Sequence, residues 1–381
     1  MQLFKRQIEM NSGLSKTRII TGVTGFLGSH YVYRLLKGDS GRIFSLVRAS
    51  SKTYGNERLL DAINLAAKGY KKPEIRRESP ECITPILGDI SEKYCGISDE
   101  DTRDLNDAGI DEVWHFAASL NFEESRREKI ESMNLRGTEN ILSLVKQVNA
   151  KRLIYVSTAY SSGKMEGKIP EKIHSNETEF NNVYEETKCR AEKQVVTFCR
   201  ENNILLTILR PSIVIGPNQT KGTGGSETGL YGFIREMVGL LNVTKAKDVV
   251  APVGIRGDSK VNLNFIPIDQ LVDDIFSIMN DDFGSQEIYH LSSNSNVNLD
   301  RFLHIVTKSV GLPDLHVIPY DSKSMSRVET NLDSRLEFYS GYFRFPKEFS
   351  RSLDRVWNVT EEDIFDFIRC AIAEHGAVKN A

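Results

Sequence analysis

The sequence predicts an α/β fold, a doubly wound parallel sheet with a smaller C-terminal lobe. Three observations lead there. Short apolar, β-branched segments alternate with amphipathic helical ones as far as Gly216. The first apolar segment runs straight into a glycine-rich turn and then a helical stretch. Beyond Gly216 the alternation gives way to a polar, Gly-rich segment and then to mixed helices and short strands without a repeat. At 381 residues the chain can bury one large core with a lobe, or two cores.

Taken in order, Met1 to Ser15 lack the apolar core of a signal peptide, and residues 1–16 read as a flexible extension. Candidate strands are Arg18–Thr21, Arg42–Val47, Ile83–Leu87, Asp111–Phe116, Lys151–Ser157 and Leu205–Leu209. Helical stretches fall near Ser29–Lys37, Glu57–Lys68, Arg127–Val148 and Val183–Glu201. Residues 17–216 therefore form the expected sheet domain. Residues 217–381 are expected to form mainly the smaller lobe, with Asn262–Ile275 and Glu287–Leu291 returning to the sheet. The polar stretch Asn218–Gly229 follows a strand, and reads either as a loop that covers a substrate or as a plain connection. The basic run Lys68–Glu78 reads as a solvated face or as a dock for an acidic partner.

Composition excludes little but points one way. A net charge of -3, from 49 basic and 52 acidic side chains, gives no support for nucleic-acid binding. The five cysteines are scattered without C-x-x-C spacing, so reduced thiols, a cytoplasmic setting and no metal site are expected. No apolar run approaches the ~20 residues of a membrane span.

The chemistry begins at Thr21-Gly22-Val23-Thr24-Gly25-Phe26-Leu27-Gly28. In this setting Gly22 allows a tight turn, Gly25 lets the backbone approach a pyrophosphate, and Gly28 lets helix and strand pack closely. Thr24, Phe26 and Leu27 belong to the same cofactor turn, that of a Rossmann sheet opening onto a dinucleotide. The second strand ends Leu46-Val47-Arg48-Ala49-Ser50, without the acid that an NAD-selective site uses. A guanidinium suits a 2′-phosphate, so Arg48, helped by Arg58, argues for NADPH. The plainer alternative is a solvated arginine at a strand end. Tyr184 and Lys188 form a Y-x-x-x-K pair on one helical face, and a nearby ammonium lowers a tyrosine pKa. Tyr184 is thereby a candidate proton donor. Thr158, 26 residues earlier, ends a strand where a hydroxyl faces a ligand crevice or simply caps a turn.

Further strings follow in order: Asp89 in Leu87-Gly88-Asp89-Ile90, His115-Phe116-Ala117-Ala118, Asn134-Leu135-Arg136-Gly137-Thr138, and Arg210-Pro211. Together with the glycine turn, Ser157-Thr158 and Tyr184-x-x-x-Lys188, this series resembles that of extended short-chain dehydrogenases/reductases, from Thr17 to Gly216. The resemblance implies a Thr158–Tyr184–Lys188 catalytic group and places Asp89 and Ile90 near the adenine. It sets Ala117, Ala118 and Ser119 along the cofactor path, Asn134 as a structural or proton-relay residue, and Pro211, Ser212 and Ile213 as further cofactor contacts. The strings Thr24-Gly25-Phe26-Leu27-Gly28, Ser45-Leu46-Val47-Arg48-Ala49, Ala118-Ser119-Leu120-Asn121-Phe122 and Val156-Ser157-Thr158-Ala159-Tyr160 look most like the thioester reductase and fatty acyl-CoA reductase, or male sterility-type, branch.

That branch implies NADPH-dependent reduction of an acyl thioester, on coenzyme A or a carrier protein, to an aldehyde or alcohol. The chain shows no carrier segment, so the thioester is expected in trans, entering near Asn218–Gly229, where Lys221 would meet a phosphate or an acidic carrier helix. The enzymatic alternative on this scaffold is a sugar-nucleotide epimerase or a hydroxysteroid-type dehydrogenase. Ala159-Tyr160 after Thr158 disfavours dehydration, and Arg48 disfavours a permanently held NAD. A non-catalytic NADP(H)-binding protein is the third reading, and the presence of both Tyr184 and Lys188 weighs against it.

Overall fold

A computed structural model describes residues 16–38, 41–75, 83–246, 251–280 and 287–379. Residues 1–15 of the expected extension, residues 76–78 of the basic run, and Cys82 lie outside the described residues. The sheet contains β1 (Arg18–Thr21), β2 (Ile43–Val47), β3 (Ile83–Leu87), β4 (Glu112–His115), β5 (Arg152–Val156), β6 (Leu205–Pro211) and β7 (Ile288–Leu291). Its order is β3-β2-β1-β4-β5-β6-β7, every pair parallel. The order reverses between β1 and β4, and in open α/β sheets a ligand crevice forms at that switch point.

Strands covered on both faces are nearly continuous apolar runs, as β1 (RIIT) and β2 (IFSLV) show by being buried throughout. Successive residues point to opposite faces and split the core in two. Ile20, Trp114, Ile154 and Leu209 pack under α1 (Phe26–Leu35) and α2 (Lys52–Gly69). Ile19, Val113, Leu153 and Ile208 pack on the other face, under α3 (Asp99–Ala108), α4 (Gly137–Gln147) and α5 (Val183–Glu201). A third core, around Phe233, Met237, Phe302 and Phe367, is built from α6 (Leu230–Ala246), α8 (Leu299–Val310), α9 (Arg327–Leu336) and α10 (Glu361–Lys379). Between α6 and α8 the chain goes back: α7 (Ile268–Asn280) covers the α1 face through Leu271, Val272 and Ile275, and β7 extends the sheet beside β6.

The structure differs from the sequence reading in one element that matters. The stretch Arg127–Val148 is not one helix. It runs as Arg127–Glu131, a π-helical turn over Ser132–Arg136, and then α4. The wide turn carries Asn134, buried and bonded inward across the chain. A fully buried ion pair ties β6 to α5: Arg210 Nε and Nη2 donate to Glu192 Oε1 and Oε2 at 2.9 and 2.6 Å. Among the described residues no helix is long and apolar enough to cross a membrane, and no group of three or more His, Cys, Asp or Glu is placed to hold a metal ion.

Candidate active site

The cleft opens at the carboxyl ends of the strands and encloses about 400 Å³. Its floor is the turn between β1 and α1. Gly22 adopts φ +75°, in the region that glycine alone visits freely, and a Cβ there would lie 2.6 Å from the Ala117 nitrogen. A Cβ at Gly28 would lie 2.3 Å from the Gly22 carbonyl oxygen. Turn, helix and β4 loop therefore close up only because those side chains are missing. Gly25 is the N-cap of α1 and no side chain caps it. The helix end meets the cleft with its backbone N–H groups and its positive dipole end, which suits a pyrophosphate.

Two charged groups stand at the far end of the same cleft. Arg48 follows β2, and its Nη1 lies 3.6 Å from Asp89 Oδ2, beyond the end of β3. Arg58, from α2, donates to the Arg48 carbonyl oxygen. Burial would raise the Asp89 carboxyl, but the Ser91 backbone N–H and hydroxyl bond to it at 2.9 and 2.8 Å and Arg48 stands nearby. Together these hold it below the ordinary carboxylate value. An acid and an exposed guanidinium thus stand side by side at this end of the cleft.

At the other end are the hydroxyl residues. Thr158 closes β5 in extended conformation, and its Oγ1 accepts from the Tyr160 nitrogen at 3.2 Å, capping the turn Ala159–Ser162. Its hydroxyl also acts on Tyr184, favouring the ionised phenol. Capping and facing the cleft, left as alternatives by the sequence, thus coexist. Asn182 starts α5 by accepting from the Glu185 nitrogen at 2.9 Å, which puts Tyr184 in the first turn and Lys188 one turn on. The Tyr184 ring is 8% exposed and packs 4.9 Å from Phe122, centroid to centroid. Lys188 Nζ donates to the Val156 carbonyl oxygen at 2.6 Å and sits 4.2 Å above the Tyr155 ring.

The electrostatics depart from the sequence reading. Burial is the largest influence on Tyr184 and raises its pKa above the ordinary tyrosine value, opposed by the Thr158 hydrogen bond. Burial also brings Lys188 down to about 7. Desolvation of both groups outweighs the ammonium effect argued from spacing, so near neutral pH Tyr184 holds its proton. That is the state a proton donor needs.

The cleft wall gathers Gly22, Thr24, Gly25, Phe26, Leu27, Gly28, Arg48, Arg58, Asp89, Ile90, Ala117, Ala118, Thr158, Tyr184, Lys188, Pro211, Ser212 and Ile213. Ser119 and Asn134 are not on it. Asn134 Oδ1 accepts from the Ser119 nitrogen at 2.7 Å, and its Nδ2 donates to the Ser119 carbonyl at 3.1 Å and to Thr187 Oγ1 at 3.0 Å. The π turn aims Asn134 at the loop after β4, so it fastens that loop to α5. The sequence reading missed Leu120, Phe122, Met133 and Tyr342, which also line the cleft. The first three follow or oppose the loop already singled out; Tyr342 comes from the distant helix Ser340–Arg344.

Asn218–Gly229 is tied at many points. Thr220 Oγ1 donates to the Gly69 carbonyl at 2.7 Å, and Thr223 Oγ1 donates to Glu374 at 2.6 Å. Buried His30, its pKa lowered by burial to about 4, is neutral; Nε2 donates to the Gly224 carbonyl at 2.9 Å while Nδ1 lies 2.8 Å from the Tyr70 hydroxyl. Lys221 Nζ is 2.5 Å from Asp363, in the first turn of α10. That pairing, formed where the C-terminal helix begins, occupies the ammonium that the sequence reading assigned to a phosphate or a carrier. Ser226, Thr228 and Gly229 do reach the cleft wall.

Known proteins resemble this chain throughout. Fatty acyl-CoA reductase wat of Drosophila melanogaster is 31% identical over 251 residues, covering 58% of this chain and 47% of that protein. Fatty acyl-CoA reductase 8 of Arabidopsis thaliana is 31% identical over 167 residues, covering 42% of this chain and 34% of that protein. The chain thus spans less than half the length of these two relatives. The terminal R domain from the myxalamid PKS-NRPS biosynthetic pathway shares the fold, with a TM-score of 0.76 at 22% identity over 96% of this chain and 92% of that one. The family described as Male sterility protein matches residues 20–275, which take in the glycine turn, Arg48, Asp89, Thr158, Tyr184 and Lys188, and the chain belongs to that family.

Proposed function

We propose that the protein is an NADPH-dependent reductase of an acyl thioester, carried on coenzyme A or on a carrier protein. One observation carries this reading: Thr158, Tyr184 and Lys188 stand at one end of a single cleft whose other end holds the glycine turn, Arg48 and Asp89. The likeness to fatty acyl-CoA reductases supports the thioester as substrate.

The glycine turn and the start of α1 would hold the pyrophosphate, Asp89 the adenosine end, and Arg48 with Arg58 the 2′-phosphate. When bound, the reduced nicotinamide supplies a hydride to the thioester carbonyl carbon. Thr158 and Tyr184 donate hydrogen bonds to the carbonyl oxygen, and these strengthen as charge builds there. Tyr184 then transfers its proton to that oxygen, giving a hemithioacetal. Lys188, fixed by the Val156 carbonyl, holds the ribose and steadies the tyrosinate left behind. The hemithioacetal returns its hydroxyl proton to Tyr184 as the carbon–sulfur bond breaks, releasing aldehyde and, after protonation, thiol. Reduction of the aldehyde to the alcohol at the same residues would consume a second NADPH, and the product, aldehyde or alcohol, distinguishes the two courses. Phe122, Leu120 and Met133 provide an apolar wall beside Tyr184 for the acyl group.

The test is NADPH oxidation over acyl-CoA and acyl-carrier thioesters of varied chain length, with identification of the carbonyl product. NADPH-dependent aldehyde or alcohol formation is expected. Tightly held NAD in the purified protein, with no turnover of any thioester, would instead support an epimerase.

A further inference from the structure

Beyond Gly229, the one residue on the cleft wall among those described is Tyr342. Its position is fixed from both sides. Next to it, Gly341 lies against the start of α5; a Cβ there would come within 2.8 Å of Glu185 Oε1 and 3.1 Å of Asn181 Cβ. On the other side, Phe343 turns into the lobe core, 4% exposed, and its carbonyl accepts from the Asp258 nitrogen at 2.8 Å. Farther on, the strand Lys347–Phe349 runs parallel to Gly167–Ile169. Lys347 Nζ donates to the Gly163 carbonyl at 2.6 Å and also to that of Met165. The segment is thereby joined to the turn after Thr158 and to the helix that carries Tyr184. The Tyr342 ring meets that turn directly, edge-on to Tyr160 with centroids 4.4 Å apart and planes at 78°. The side chain is nonetheless partly open, and what it opens to is the cleft.

We propose that Tyr342 is a further catalytic residue, whose hydroxyl donates a hydrogen bond to the bound acyl thioester beside Tyr184. This rests on the reading of the protein as a thioester reductase. The two phenols have different parts. Tyr184 gives up its proton to the carbonyl oxygen. Tyr342 keeps its own: burial, then the neighbouring Tyr160, Tyr184 and Glu185, hold its pKa well above the ordinary tyrosine value. A protonated phenol is a hydrogen-bond donor. No bond at Tyr342 breaks; its hydrogen bond strengthens as negative charge develops on the substrate. The C-terminal lobe would in this way complete the site, and not merely cover it.

Tyr342→Phe keeps the ring and its contact with Tyr160. With palmitoyl-, octanoyl- and acetyl-CoA as probes, kcat is expected to fall by roughly a hundredfold, the lower end of what one lost donor costs. KM for the thioester and Kd for NADPH should stay close to wild type, and the pH–rate profile should keep its shape, because Tyr342 exchanges no proton in the reaction. Tyr342→Leu, which also removes the ring, should lose at least as much. A Tyr342→Phe enzyme with kcat within about twofold of wild type overturns the proposal. So does a Phe variant whose loss is matched by weaker NADPH binding or by lower thermal stability, since either marks a packing role. If the wild-type protein turns over none of these probes and none of the same acyl groups on a carrier protein, the functional reading falls and the proposal falls with it. If wild type is active and Tyr342→Phe equals it, the proposal falls alone.

Discussion

Arg48→Ala separates a cofactor contact from a structural arginine. In the structure the guanidinium is 65% exposed and its ion pair with Asp89 is 3.6 Å long. Such a pair in water stabilises the fold by no more than about 1 kcal/mol, and often by nothing measurable. The substitution should therefore leave the urea midpoint nearly unchanged. A hydrogen bond from the same group to a phosphate contributes more, about 1.5–3 kcal/mol. With each 1.4 kcal/mol equal to a factor of ten, NADPH affinity should fall by roughly 12- to 150-fold. NADH lacks the phosphate and should bind the two proteins alike. The assay is a fluorescence titration of each protein with each cofactor, with urea unfolding as the control. Equal losses for NADPH and NADH would refute the assignment of Arg48 to the 2′-phosphate. A large fall in stability would refute the reasoning from exposure.

Two further predictions concern buried charge. Lys188 has a folded pKa of about 7 against an ordinary 10.5, so the unfolded chain binds more protons between those values. Stability should gain from this group as pH rises from about 7 to 10.5, and the cost of burying its charge should be fully present below 7. Lys188→Met should flatten that part of the stability–pH curve in urea titrations; an unchanged slope would contradict the lowered pKa. Glu192→Gln leaves Arg210 charged and unpaired at full burial and should cost about 3–5 kcal/mol of unfolding free energy. A loss under about 1 kcal/mol would show that the pair is solvated, contrary to its burial.

Much of the sheet could be read because its signals are local. A buried parallel strand is an apolar run, and a glycine turn needs its glycines at set spacing whatever surrounds it. Val183–Glu201 was read with the bounds that the helix has in the structure. What could not be read depends on distant partners. Nothing near Asn134 announces a π turn; it forms where the side chain finds Ser119 and Thr187. Nothing near Lys221 announces Asp363, 142 residues on, which takes up its charge. A polar, glycine-rich stretch reads as mobile in sequence because its hydrogen bonds to Gly69, Glu374 and His30 are all long-range. Tyr342 is the same case within the cleft. Its immediate neighbours in sequence make an ordinary short helix, and contacts such as that of Gly341 with Glu185 and of Lys347 with Gly163, both far along the chain, bring its ring to Tyr160. The effect of Lys188 on Tyr184 was misjudged for a related reason: spacing gives proximity, but the extent of desolvation is a property of the whole fold.

In the proposed reaction Tyr184 delivers a proton to the thioester oxygen, and every later step depends on that transfer. It is tested most directly by single-turnover reduction of an acyl-CoA by Tyr184→Phe, with NADPH affinity measured on the same protein. The substitution removes one oxygen and little volume. The expected rate is at least ~10²-fold below wild type, the scale of general acid catalysis, with NADPH affinity largely kept. A Tyr184→Phe enzyme that reduces the thioester at nearly the wild-type rate would contradict it.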